Sequence, residues 1–537
     1  MPQYLPNLTA TGHGVYRLLR FVNGGLVRQF LADLERPEEA ANRQFRALIN
    51  AGSKCQFLRE HGVEKIQTLA DFRNAIPIRT HAEMKPWLDR VSAGEDGVLV
   101  RERTSMLLET SGTTGTPKHI PVTATWAKQV QEAQRLWTLA LIRDHPNLQS
   151  GKALTMVSPA VHGESVGGIP IGSNTGRIRA AQPGWLKKRY AVPEVAMEIT
   201  DPIARQYAVL RFGLATDVRS ITTANPSLLL LLFRRLSEWR EYLTQDLEGG
   251  TLRNGPAEGL PEDLRDRLEK RLEPTAPPDD WSPEKLWNLA SVNCWTGGPA
   301  RYFADRLQAT LPNVSIRELG VTASEGSFAF PLAADWPGSV LWMGGHLMEF
   351  VDANGQEKWP WELEFGDRVR LIISTAAGLY RYDMADELEV VGHCLNTPMV
   401  RFVGKSGRYL NMVGERVSGA QVSAAISSLG VDIDGFTVGA IEGDIPAYVI
   451  GVEGKSIPDG FAQQFDSALS EQNVEYASKR KSGRLGEPLM RRLRQGHYAA
   501  YRARRVSAGA PEGQLKDPIL ACSREEWRMV VEDGGTP

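Results

Sequence analysis

The chain has 537 residues, 42% of them hydrophobic and 23% charged, enough apolar material for two or three packed domains. Its formal net charge is −2, with 62 Lys and Arg against 64 Asp and Glu, which excludes a strongly basic nucleic-acid binder. Four widely spaced cysteines, Cys55, Cys294, Cys394 and Cys522, show no CxxC spacing and are expected as buried free thiols rather than a zinc or redox site.

The first residues, "MPQYLPNLTATGHGVYRLLRFVNGG", lack a basic region followed by an apolar core and a cleavage site, and the chain holds no run of about 18 apolar residues. Neither a signal peptide nor a membrane span is expected, and a cytosolic location is. Residues 12 to 60 read as helices, with Val15, Leu18, Leu19 and Val22 at helical spacing. "WAKQVQEAQRLWTLALIRD" places Trp126, Val130, Trp137, Ala140 and Leu141 on one helical face, and "SLLLLLFRRLSEWREYL" (227–243) predicts a helix with a buried start. The Gly-, Pro- and charge-rich stretch 245–283 predicts a surface excursion with one exposed helix near 261–272. Short β-like runs follow: "VSIREL", "SVLWMGGHLMEFV", "DRVRLIIS" and "ELEVVG". Beyond Gly404 come a helix (420–429), a hairpin ("GFTVGAIEGDIPAYVIGVEG") and another helix (459–472). The fold class is α/β: a large N-terminal domain, 1–403, and a smaller C-terminal module, 404–537, joined near 400–408.

Between two apolar runs lies "SMLLETSGTTGTPKHIPVT" (105–123). A loop of Gly, Ser and Thr can turn backbone N–H groups inward, because glycine tolerates the positive φ that amide nests require. The hydroxyls add donors and Lys118 adds a mobile cation, so the surface fits several phosphate oxygens at once. It is not a Walker A loop: no GK[ST] ending is present, and "HIPVT" alternates like a strand where a P-loop leads into a helix. An ordinary Thr/Gly hairpin turn is the competing reading.

"TSGTTGTPK" (110–118) resembles the phosphate-loop signature of the adenylate-forming superfamily. Further segments occur in matching order: "TGGPA" (296–300), "VTASE" (321–325), "GLYRYDMADELEVVG" (378–392) and "RFVGKSGRYLNMVGERVS" (401–418). "YRYDMAD" is similar to the "YRYxxGD" of the GH3 family of acyl-acid amido synthetases, as are 201–239 and 485–506, so the resemblance spans roughly 50 to 510 and points to a bacterial-type GH3 protein. It implies an adenylate-forming N-terminal domain of mixed sheets and helices with a mobile C-terminal α/β module. The implied activity takes ATP and Mg²⁺, a small-molecule carboxylic acid and an amine such as an amino acid, with neither nucleic acid nor membrane as partner.

The resemblance also implies roles. Ser111, Gly112, Thr113, Thr114, Gly115 and Lys118 would hold the β- and γ-phosphates, with Lys118 also catalytic. Gly297 and Gly298 would lie against the nucleotide with Val321, Thr322 and Ser324, and Glu325 would ligate Mg²⁺. Asp386 would accept both ribose hydroxyls, and Lys405 would approach the ribose or α-phosphate. His162, in "SPAVHGES", stands where many acyl-activating enzymes carry a histidine near the acyl group, though a structural histidine is the alternative. Three departures stand out. Val321 replaces an aromatic that would stack on adenine, Ala385 replaces the glycine before Asp386, and Arg502 takes the place of the C-terminal lysine that helps adenylation. Arg177 and Arg179 read equally as contacts for a polar or acidic substrate and as surface charges. An acyl-CoA synthetase and a catalytically weak nucleotide-binding protein are the alternative functions.

Overall fold

The computed structural model describes residues 3–8, 13–110, 118–156, 158–443, 445–508, 510 and 515–532. Its largest layer is a nine-stranded sheet. The order is Val321–Ala323, Gly326–Phe330, Ser339–Leu341, Thr397–Lys405, Tyr382–Cys394, Arg368–Ser374, Leu347–Asp352, Glu357–Lys358, with Gln3–Tyr4 pairing off this path alongside Tyr382–Cys394. Every pair on that path is antiparallel. One face packs on the helices of residues 37–92 and on Ala124–Asp144, burying Phe45, Phe57, Phe72, Met84, Trp126, Phe328, Phe350 and Leu388 in a single core.

A second, four-stranded sheet is wholly parallel: Lys152–Thr155, Val218–Thr222, Ser291–Cys294 and Ser315–Glu318. Helices Pro202–Leu214, Pro226–Glu238 and Arg301–Thr310 form the crossovers that parallel pairing requires. The third sheet orders Lys118–Val122, Met106–Thr110, Pro170–Gly172, Gly163–Glu164. Beyond Lys405, strands Gly435–Ile441, Ala447–Glu453 and Leu489–Arg492 pair beneath helices Gly419–Ser428 and Phe461–Gln472.

Local chemistry sets the helix starts that matter for the site. Thr123 accepts the Trp126 N–H at 3.2 Å and donates to the Ala376 carbonyl, so the cap of Ala124–Asp144 is also bonded across to the loop before the third signature. Thr80 and Glu83 form a reciprocal capping box at the start of His81–Ser92.

The predicted run 227–243 divides into Pro226–Glu238 and Arg240–Gly249, and the 261–272 helix is Glu262–Glu269. Three cysteines are buried and free, but Cys522 is exposed. On Gly14–Val22 the inward residue is Tyr16; Val15, Leu18 and Val22 point to water because His13 and Tyr16 occupy the side facing the rest of the chain. Among the described residues no helix is long and apolar enough to cross a membrane.

Candidate active site

Met106–Thr110 and Lys118–Val122 are antiparallel with Thr110 opposite Lys118, which closes the base of the hydroxyl-rich loop. Ser111, Gly112, Thr113, Thr114 and Gly115 lie outside the described residues. Lys118 is partly buried at the loop's end. Burial lowers its pKa, an effect that Glu325 opposes, Lys405 reinforces and Asp386 opposes, so four charged side chains from separate signatures act on one another here.

Glu325 sits in the tight turn between strands Val321–Ala323 and Gly326–Phe330, where Ala323 pairs with Gly326. Trp126 Nε1 donates to its carbonyl at 2.8 Å. The carboxyl is buried, and that burial raises its pKa, with Lys405 opposing. The Tyr382 hydroxyl lies 3.3 Å from His81 Nδ1, and burial and then the Glu325 charge push its pKa up. Asp386 and Lys405 are cross-strand partners, and Lys405 Nζ lies 2.6 Å from Asp386 Oδ1. Ala385, directly before Asp386, has φ 52°. A Cβ in that left-handed region costs of the order of 1 kcal/mol, so replacing glycine here strains the backbone rather than being neutral.

Gly297 and Gly298 lie against the end of Thr397–Lys405. A Cβ on Gly297 would stand 3.1 Å from the Phe402 carbonyl, and one on Gly298, with φ +53°, 2.8 Å from the Val403 carbonyl. Their lack of side chains thus lets the backbone approach within two residues of Lys405. Thr322 and Ser324 flank Glu325 on the same hairpin.

One expectation needs correction. Val321 pairs with Ala329 and belongs to the main apolar core, so its side chain is packing and not a nucleotide platform. His162 is not brought to the Lys118 group. Its Nε2 lies 3.6 Å from Glu109 Oε1, while His119 Nε2 lies 3.7 Å from Glu109 Oε2. His119 follows Lys118 along one strand and therefore faces the other side. Burial would raise the Glu109 pKa, but the neighbouring His119 and then His162 imidazoles outweigh it and hold the carboxyl at about 2.

The GH3 family N-terminal domain matches residues 26–316, its central domain residues 339–405 and its C-terminal domain residues 419–525. The chain belongs to the GH3 family. A probable indole-3-acetic acid-amido synthetase of Oryza sativa subsp. japonica is 23% identical across 91% of this chain and 89% of its own length. A jasmonoyl-L-amino acid synthetase of Nicotiana attenuata is 22% identical across 88% and 89%. A GH3.15 acyl acid amido synthetase superposes with a TM-score of 0.82 over 98% of this chain and 97% of its own, at 17% identity. A 2-hydroxyisobutyryl-CoA ligase in complex with its acyl-AMP superposes at 0.54 over 93% and 92%, at 11% identity. The adenylate-forming fold is common to all of these structures.

In this GH3 chain Arg502 does not face the cleft, a second correction. Its Nε donates to Asp517 Oδ1 at 2.8 Å and its Nη2 to Asp517 Oδ2, and its fork is consumed by that buried carboxylate. Lys516, the neighbour of Asp517, is the C-terminal cation whose charge is felt by the Asp386–Lys405 pair. The ammonium stands 4.1 Å over the Trp295 ring and 5.9 Å from that of Phe402. Burial among surrounding protein and then Lys405 lower its pKa to about 8, with Asp386 and Glu318 opposing, although the side chain stays open to the cleft. Sequence reading missed Lys516 and Trp295. The one signal for Lys516 is a single lysine in the Gly/Pro-rich "PEGQLKDP", and Trp295 directly precedes "TGGPA".

Proposed function

We infer that the protein activates a carboxylic acid with ATP as an acyl adenylate and passes the acyl group to an amine, forming an amide. The observation that carries this reading is the meeting of Lys118, Glu325, Asp386 and Lys405 from four separated segments, with Lys516 arriving from beyond the joint near 404.

In this reading Lys118 and the loop before it hold the β- and γ-phosphates, Asp386 accepts the ribose hydroxyls, and Lys405 stands between ribose and α-phosphate. Trp295, next to Gly297 and Gly298, offers the aromatic surface that Val321 does not. Glu325 suits Mg²⁺: it is a buried oxygen donor with no ion-pair partner in contact among the described residues. No three His, Cys, Asp or Glu side chains among those residues could hold a metal together, so phosphate oxygens and water would complete the coordination. When bound, the cation neutralises phosphate charge. The acid's carboxylate oxygen attacks the α-phosphorus as the α–β bridge breaks and pyrophosphate leaves. An amine nitrogen then attacks the acyl carbon, AMP departs and the ammonium loses a proton. The chain's task is alignment and charge compensation, with segment 404–537 as a lid that shields the anhydride from water.

The amido-synthetase names of the relatives favour an amine acceptor over CoA. ATP–pyrophosphate exchange across a panel of carboxylic acids tests the first step, and absence of acid-dependent exchange overturns the ligase reading. Mass analysis with an amino acid or CoA as sole acceptor tests the second, where an amide is expected and an exclusive thioester product reassigns the acceptor.

A further inference from the structure

Arg177 lies on the short helix Asn174–Ala180, which is pressed onto the loop at 158–160. A Cβ on Gly172 would collide with the Ala160 carbonyl, and one on Gly176 would stand 2.5 Å from the Ser158 carbonyl. Ser173 Oγ donates to the Ser158 and Pro159 carbonyls and caps the helix. The helix is thus fixed, and its two arginines have different surroundings. Arg179 is satisfied: its Nη1 donates to Thr155 Oγ1 at 2.9 Å, its Nη2 to the Val192 carbonyl, and its guanidinium lies 4.6 Å from the Tyr190 ring centroid. Arg177 has far less. Its Nε and Nη2 share Asn174 Oδ1 at 3.3 and 3.0 Å, its guanidinium lies 5.1 Å from the Trp126 ring centroid, and no carboxylate pairs with it among the described residues.

A guanidinium stays charged at any physiological pH and offers five donors. Removing it from water without an anion is unfavourable, and burial is the one influence that lowers its pKa, to about 10. A rigidly held, partly exposed arginine with no carboxylate partner among the described residues is what a ligand's anion would complete. Its place relative to the cleft is defined by one indole. Trp126 presents its face to Arg177, while its Nε1 holds the Glu325 carbonyl. Arg177 thus meets the face of the ring and the Glu325 turn its Nε1 edge, so an anion held by Arg177 would sit beside Trp126 rather than at the Glu325 turn.

Resting on the acyl-activating reading above, we propose that the acid substrate carries a second anionic group and that Arg177 receives it, so that the enzyme selects dicarboxylates or equivalent dianionic acids over monocarboxylates. Arg177 is then a specificity-determining residue: it binds the distal end while the proximal carboxylate is activated, and the product is a mono-amide that keeps its second acid.

The test measures kcat/KM for ATP–pyrophosphate exchange with matched pairs, adipate against hexanoate and terephthalate against benzoate, in the full chain. The wild-type enzyme is expected to prefer each diacid at least about tenfold. Arg177→Met is expected to lower the diacid values about 10²-fold and to leave the monoacid values within about threefold, while Arg177→Lys, which keeps a point charge, retains part of the preference. A wild-type preference for the monoacids, or equal loss for both classes in Arg177→Met, overturns the proposal. If Arg177→Met does not fold, the wild-type ratio and its change in Arg177→Lys decide alone. Absence of acid-dependent exchange with every acid tried overturns the ligase reading itself, whereas monoacid-selective exchange overturns only the role of Arg177.

Discussion

Lys516 reaches the Asp386–Lys405 pair from the opposite side of the joint, and its lowered pKa makes its charge a function of pH in the working range. The ammonium is protonated below about 8 and loses its proton above. If that charge stabilises the transferring phosphoryl group, kcat/KM for ATP stays level up to about pH 7.5 and falls as pH rises through 8, since kcat/KM reports the free enzyme. Lys516→Arg should abolish this upper limb, because a guanidinium does not titrate there, and Lys516→Ala should slow exchange by about 10²-fold at pH 7. Exchange rates from pH 6 to 10 check both; an upper limb that persists in Lys516→Arg assigns it to another group. Arg502 and Lys516 also show why residue roles were harder to read than segment identities. Both are basic and both lie in the C-terminal quarter, but which one faces the cleft depends on the capture of Arg502 by Asp517, a tertiary contact with no trace in local spacing.

At the scale of elements, the third signature is held by a buried charge network. Arg381, with φ 46° and 2% side-chain exposure, donates from Nε to Glu349 Oε1 at 3.1 Å, from Nη2 to Glu357 Oε2 at 2.5 Å, and from Nη1 to the Arg73 and Ile76 carbonyls at 2.9 and 2.8 Å. Arg73 bonds Glu349 as well and stacks 3.6 Å over Trp359. The arginine thus ties the strand carrying Asp386 to the N-terminal helices. Arg381→Met leaves two carboxylates short of a partner and is expected to cost about 3 kcal/mol, read as a lower denaturant midpoint of the first unfolding transition; a shift below about 0.5 kcal/mol would mean that Arg73 compensates. Periodicity made the long elements legible, as at 124–144, where Trp126, Val130, Ala140 and Leu141 are buried as their spacing implied while Trp137 on the same face is half-buried. The same rule misleads at Gly14–Val22, since a nine-residue helix offers apolar residues on two sides and only tertiary placement chooses Tyr16. The signatures mark Lys118, Glu325, Asp386 and Lys405, which the fold assembles. The Glu109–His119–His162 group, in contrast, depends on a strand pairing between distant segments that local sequence does not encode.

For the whole molecule, the decisive feature is that the apolar core beyond Lys405 does not stop at the joint. Tyr302 and Phe303, on helix Arg301–Thr310 of the parallel-sheet unit, are buried with Val422, Phe436, Ile450 and Phe465. The Tyr302 hydroxyl donates to the Ile433 carbonyl at 3.0 Å, Arg234 pairs with Asp434 at 3.1 Å, and Asn225 Nδ2 holds the Leu515 carbonyl at 2.6 Å. In the proposed lid motion, swinging away from the nucleotide would expose these aromatics or carry them along, a cost that would favour the closed arrangement. Removing Phe303, 4% exposed and with its centroid 6.5 Å from that of Phe436, takes away a contact worth up to about 3 kcal/mol, enough to raise the open fraction by about 10²-fold. Phe303→Ala is therefore expected to speed tryptic cleavage within 404–418 well below the unfolding temperature and to enlarge the radius of gyration in solution scattering. A non-hydrolysable ATP mimic, bound by residues on both sides of the joint, should reverse both changes. If Phe303 serves only as core, the variant will melt earlier with cleavage and scattering unchanged at low temperature, and the seam through Tyr302 and Phe303 is then a fixed part of one body rather than the surface on which the lid turns.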